Sequence, residues 1–230
     1  MKATVTSRVK ICCISSVEEA ALAVECGASA LGLVSHMPSG PGVISDQLIA
    51  EIAATVPPPI GTFLLTSKQN VSDIIAQHRF CRTNCIQICD HLTGGTYREL
   101  KDALPGISII QVIHVVGPES VDEAWTVAPH VDAILLDSGN QRLATKELGG
   151  TGRTHDWTLS RTIRESIDIP IFLAGGLTPE NVTQAIQEVG PFGLDLCSGV
   201  RTNGKLDKEK LRRFFAAVRS SATSQTPVLV

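Results

Sequence analysis

Hydrophobic and polar positions in this chain fall into two rhythms that take turns. In short runs, alternate residues or nearly all residues are apolar and often β-branched, the pattern of a strand covered on one or both faces. Between the runs lie longer stretches with apolar residues three and four positions apart, the spacing of a helix with one buried face. The runs predict strands at residues 9–13, 30–34, 60–65, 85–89, 108–114, 133–137, 171–174 and 193–197. The stretches predict helices at 17–26, 46–55, 71–77, 97–103, 121–128, 158–166, 179–189 and 207–219. Local punctuation agrees. Glu18 and Glu19 suit a first helical turn, Gly27 suits a helix end, and Ser45 is placed to cap the second helix. Pro57-Pro58-Pro59 forces an extended entry to the third strand.

Eight strand–helix alternations in one domain-sized chain predict an α/β fold closed as a (β/α)8 barrel, because right-handed crossovers leave few other ways to arrange them. The expected domain covers residues 1–219, with a loosely held Ser/Thr-rich tail at 220–230. Barrels of this kind carry their chemistry at the C-terminal strand ends. The polar residues predicted there are Cys12, Gln87, His114, Asp137 and Asp195.

Along the first strand Val9 and Ile11 suit a cover of helices, so Lys10 and Cys12 share the inner face and Cys13 faces away. A lysine two residues before a cysteine at a strand end can hold anionic oxygens and favour the thiolate. Asp137 ends the sixth strand, where it caps a turn or serves as an acid opposite Cys12. Gly149-Gly150-Thr151-Gly152, Gly175-Gly176 and Ser198-Gly199 supply glycine-rich turns. The last two follow strands seven and eight, where many barrels bind phosphate through backbone N–H groups.

Composition narrows the classes. The chain is 43% hydrophobic and 19% charged with a net charge of −3, which favours a globular core and offers nothing to nucleic acid or an anionic membrane. No apolar leader core precedes the first strand and no run is long enough to span a bilayer, so a cytoplasmic location is expected. Seven cysteines, an odd number, point to free thiols rather than a disulfide framework, and no spacing among them completes a metal set.

Taken in order, Lys10-Ile11-Cys12, Leu135-Leu136-Asp137-Ser138, Gly149-Gly150-Thr151-Gly152 with Asp156-Trp157, Ala174-Gly175-Gly176-Leu177 and Asp195-Leu196-Cys197-Ser198-Gly199-Val200 resemble the phosphoribosylanthranilate isomerase family over residues 9–219. The resemblance implies a ribulose-phosphate-binding barrel, monomeric or homodimeric, of tryptophan biosynthesis. It also implies a cofactor-free Amadori rearrangement of a small phosphosugar, with Cys12 as general base and Asp137 as general acid. Lys10, Gln87 and Asp195 would then contact substrate, and Gly150, Gly152, Gly175, Gly176, Ser198 and Gly199 would hold its phosphate.

Four places depart from the family pattern. Cys13 stands where glycine usually follows the cysteine, and Cys89-Asp90 where strand four usually ends His-Gly. Arg201 replaces a frequent glutamate. The loop Met37-Pro38-Ser39-Gly40-Pro41-Gly42 lacks the family's arginine; with His36 its nearest titratable side chain, a weaker hold on the substrate's carboxylate is expected unless Arg201 or Arg153 reaches in from another loop. A related isomerase on another phosphosugar, or a silent phosphosugar- or protein-binding barrel, stands as the alternative.

Overall fold

The computed structural model describes residues 7–141 and 143–223. Eight parallel strands close into a barrel in chain order: β1 (Arg8–Ile11), β2 (Ala30–Val34), β3 (Gly61–Thr66), β4 (Cys85–Ile88), β5 (Ser108–His114), β6 (Ala133–Asp137), β7 (Ile171–Leu173) and β8 (Gly193–Leu196). Eight α-helices alternate with them: α1 (Val17–Cys26), α2 (Asp46–Thr55), α3 (Val71–Cys81), α4 (Tyr97–Ala103), α5 (Glu119–Val127), α6 (Trp157–Ser166), α7 (Val182–Val189) and α8 (Lys208–Thr223).

Strand alternation sorts the core into two shells. In β6, Ile134 and Leu136 join the outer shell against the helices, whereas Ala133, Leu135 and Asp137 face the barrel interior. In β1, Val9 and Ile11 lie outside, and Cys12, just past its end, lies inside, as the polarity pattern predicts. The N-terminal end of the barrel is plugged by aromatics. Phe172 meets Phe63 and Phe192 edge-on, with ring centroids 6.0 and 5.6 Å apart, and Gly193 leaves the room, since a Cβ there would lie 2.6 Å from the Phe172 ring.

Element ends differ from the sequence reading for local reasons. The first strand stops at Ile11 because Cys13 has φ +62°, a left-handed backbone that breaks pairing. The third helix runs on to Cys81, where Arg82 at φ +56° ends it. The seventh starts at Val182, because Asn181 folds back so that Thr178 N–H donates to its Oδ1 at 2.8 Å. The eighth helix continues past Arg219 and Ser220 to Thr223; the rest of the expected tail lies outside the described residues. Among the described residues, no helix is long and apolar enough to cross a membrane.

Phe172 is the plug's central ring, so Phe172→Ala should lower unfolding stability by about 3–5 kcal/mol, read as a fall in denaturant midpoint at unchanged m. A loss below about 1 kcal/mol would show that the lower barrel repacks without it.

Candidate active site

The interior opens at the C-terminal strand ends into a cavity whose wall includes Cys12, Gln87, Asp137 and Asp195. Beneath Cys12 lies Lys10, wholly buried, with Nζ 2.9 Å from Asp195 Oδ1. The two are register partners of β1 and β8, so the pair follows from strand alignment. Burial works against the Lys10 ammonium, but Asp195 and the neighbouring Cys12 thiol outweigh it and hold the lysine's pKa above its usual value. Burial pushes the Asp195 carboxyl up, against the pull of Lys10 and with a smaller push from Asp137.

Gly32 makes this arrangement possible. A Cβ on Gly32 would sit 2.9 Å from Cys12 Sγ and 3.0 Å from Lys10 Nζ, so thiol and ammonium both crowd over a bare stretch of β2.

Asp137 is fixed on one side. Ser138 N–H donates to its Oδ1 at 2.7 Å, and the Ser138 hydroxyl bridges to Thr151 Oγ1 at 2.6 Å. Its Oδ2 lies over Gly149, where a Cβ would come within 2.7 Å. One oxygen is thus held while the other abuts the glycine-rich loop at the cavity wall. His155 stands close by, its Nε2 bonded to Ser160 Oγ at 2.6 Å and its pKa lowered by burial despite the Asp137 charge.

Two loops roof the cavity. Ser39 Oγ donates to Lys146 O at 2.7 Å, Cys13 Sγ to Pro41 O at 3.6 Å, and Gly150 packs against the Pro41 ring. Lys146 in turn reaches Asp90 at 2.6 Å, anchoring the β6–α6 loop to the end of β4.

Gly150, Gly152, Gly175, Gly176 and Ser198 all line the cavity on one side. Gly175 and Gly176 have φ of +83° and +60°, backbone that favours glycine. Gly152 approaches Ser198, whose Oγ would lie 3.5 Å from its Cβ. Among the described residues' hydrogen bonds, the N–H groups of Gly175, Gly176 and Ser198 donate to no protein acceptor, which suits an anion cradle.

Five residues stand elsewhere than the sequence suggests. Lys10 points at Asp195 below the cavity floor, since the strand period sets it one layer under Cys12. Arg201 turns outward to Glu19 at 2.9 Å and to the Cys13 carbonyl at 2.6 Å, so its charge is consumed away from the cavity. His36 is exposed and off the cavity wall. Gly199 backs onto the Leu177 carbonyl, 2.0 Å from where its Cβ would be, and serves packing. Cys13 does not face away; its left-handed backbone swings it to the cavity mouth.

A family model described as N-(5'-phosphoribosyl)anthranilate (PRA) isomerase matches residues 9–217. The chain belongs to this family. An isomerase of Methanosarcina mazei is 36% identical over 209 residues, covering 90% of this chain and 92% of its own. One of Methanothrix thermoacetophila is 34% identical over 214 residues, covering 93% and 99%. The Thermotoga maritima isomerase structure superposes with a TM-score of 0.77 at 30% identity, covering 93% of this chain and 99% of its own. A family structure in complex with reduced 1-(o-carboxyphenylamino)-1-deoxyribulose 5-phosphate superposes with a TM-score of 0.74 at 28% identity and the same coverage.

Sequence reading passed over Gly32, although a glycine inside a strand is itself a sign of close approach. Gly32→Ala should cut kcat by about 10²-fold, because displacing the thiol by a fraction of an ångström misaligns it, while the fold persists. Steady-state rates alongside circular dichroism check this; a variant with folded spectrum and undiminished kcat would remove the constraint.

Proposed function

We propose that this chain isomerises N-(5'-phosphoribosyl)anthranilate to its 1-deoxyribulose 5-phosphate isomer, an aldose–ketose (Amadori) rearrangement, with Cys12 and Asp137 as its base and acid. The observation that carries the reading is the joint presence of a thiol and a carboxyl on one cavity wall that also contains an anion cradle.

Asp137 gives a proton to the furanose oxygen, and the C1–O bond breaks as the anilino nitrogen's lone pair forms a C=N bond. Cys12, as thiolate, then takes the proton from C2, and the electron pair moves to join C1 and C2 while nitrogen is neutralised. The resulting enolamine tautomerises to the ketone. The free Asp137 oxygen over Gly149 suits the first step. The Lys10 ammonium beside the thiol suits the second, since it supplies positive charge to the thiolate without entering the cavity. Gln87 contributes a buried Oε1 with no protein partner among the described residues, available for a substrate hydroxyl.

The phosphate rests on Gly150, Gly152, Gly175, Gly176 and Ser198, and the aromatic half lies under Met37, Pro41 and Leu148. No lysine, arginine or histidine is among the described residues lining this cavity, so the substrate's carboxylate meets neutral donors. A neutral hydrogen bond contributes about 0.5–1.5 kcal/mol where a charged one gives about 1.5–3, so a raised KM is the expected cost. The product analogue bound in the family structure combines a carboxyphenyl group with a deoxyribulose phosphate, which supports the same two-ended fit.

Purified protein should turn over phosphoribosylanthranilate without added cofactor. Cys12→Ser should lose roughly 10²–10⁴-fold in rate while still binding a phosphate ligand, and Asp137→Asn should lower kcat comparably with little change in KM. A Cys12→Ser enzyme retaining more than about a tenth of the rate would remove Cys12 from the base role. Wild-type protein that binds phosphate ligands and shows no turnover would favour a changed sugar substrate.

A further inference from the structure

The isomerisation uses one thiol, yet three meet at the top of β1 and β8. Ile11 and Leu196 are register partners, and Cys12 N–H donates to Leu196 O at 2.9 Å, so Cys197 stands beside Cys12 with Cys13 one residue beyond. The left-handed backbone at Cys13 turns its thiol to the same cavity walls as Cys197. Arg201 closes the cluster. Its guanidinium, 8% exposed, donates to the carbonyls of Cys13 at 2.6 Å and Cys12 at 3.4 Å, and its buried Nε has no acceptor among the described residues. On the far side of the thiols from the active site lies a second open cavity of about 590 Å³, lined by Cys13, Cys197, Arg201 and Gly42. A small solute reaches Cys13 and Cys197 through it without crossing the substrate site.

We propose that Cys13 and Cys197 form a redox modification site, at which a hydroperoxide joins them in a disulfide that switches the isomerase off. Cys197 attacks first. Its thiol pKa is lowered by the neighbouring Cys13 thiol and by Arg201, whereas that of Cys13 is raised by the neighbouring Cys12 and Cys197 thiols and by burial. The Cys197 sulfur bonds to the distal peroxide oxygen, the O–O bond breaks, and hydroxide (or alkoxide) leaves with a proton. Cys13 sulfur then displaces that oxygen from the sulfenic acid, forming S–S and releasing water. Two thiols lose two electrons and two protons, and the peroxide takes both.

A bridge between Cys12 and Cys13 is disfavoured by geometry: adjacent Cα atoms are about 3.8 Å apart, below the roughly 4.4–6.8 Å that disulfides span. A Cys12–Cys197 bridge would join the register neighbours, and its appearance in place of Cys13–Cys197 is the competing outcome that peptide mapping resolves. Oxidation would also take the proton that Cys13 donates to Pro41 O, and Gly42 packs so closely on Cys13 that a Cβ there would lie 2.4 Å from the cysteine's own. The roof loop and the turn bearing Cys12 are therefore both disturbed.

The functional consequence rests on the isomerase reading, but the bond itself is tested separately. Reduced full-length protein is titrated with hydrogen peroxide and followed by intact mass, peptide mapping and turnover. The expected result is loss of two hydrogens, a Cys13–Cys197 cross-link in wild type and Cys12→Ser, and none in Cys13→Gly or Cys197→Ser. Wild-type activity should fall about tenfold or more in step with the cross-link and return with dithiothreitol. Cross-linking that needs Cys12, peroxide inactivation without the Cys13–Cys197 bond, or the bond with undiminished turnover would each overturn the proposal. Cross-linking in a protein with no isomerase activity would instead fault the reaction assignment, leaving the modification site standing.

Discussion

A charge pair inside the barrel, wholly buried Lys10 with Asp195 at the cavity wall, is the constraint to which the site answers. Such a pair is a poor source of net stability, because removing two ions from water costs nearly what their attraction returns. Breaking it is another matter: an orphaned charge at that depth costs about 3–5 kcal/mol. The register of β1 on β8 is therefore held firmly, and with it the height of Cys12 one layer above. The pair also brings a cation to the thiol from below, where no substrate can neutralise it. Gly32 belongs to the same unit, since any side chain there would push thiol and ammonium apart.

Above this floor the site divides by function. The β7 and β8 ends present glycine backbone to the cavity, whereas Asp137 is held by Ser138, itself bonded to Thr151, with one oxygen left at the cavity. The roof is a contact between the β2–α2 and β6–α6 loops, pinned by Ser39 to the Lys146 carbonyl and by Lys146 to Asp90. Charge is plentiful around the rim but spent on itself: Arg201 on Glu19, Arg153 on Glu147, Lys146 on Asp90. That leaves the cavity wall without lysine, arginine or histidine among the described residues, and the thiol cluster sits beside it at the end of β1.

The periodicity of the chain carried the barrel, and most strand and helix bounds lie within a residue or two of the pattern, because burial on two shells leaves a period-two signature in every strand. The ordered motifs named Cys12, Asp137 and the glycine-rich turns, and these line one cavity. What sequence could not give was pairing between distant strands. Lys10 reads as a ligand-holding cation until Asp195 is seen opposite it, and Arg201 reads as a free guanidinium until Glu19 is found 2.9 Å away. Strand alternation points Cys13 outward, a rule that lapses at a residue with φ +62°.

The central claim, that Asp137 opens the ring and Cys12 then takes the C2 proton, is tested most directly by a kinetic isotope effect. Phosphoribosylanthranilate deuterated at ribose C2 would be compared with the protiated substrate in wild type, Cys12→Ser and Asp137→Asn. With the base crippled, proton removal limits the rate and the effect on kcat should grow. With the acid crippled, ring opening limits and the effect should shrink toward unity. Equal effects in the two variants, or the opposite order, would contradict the assignment of the two roles.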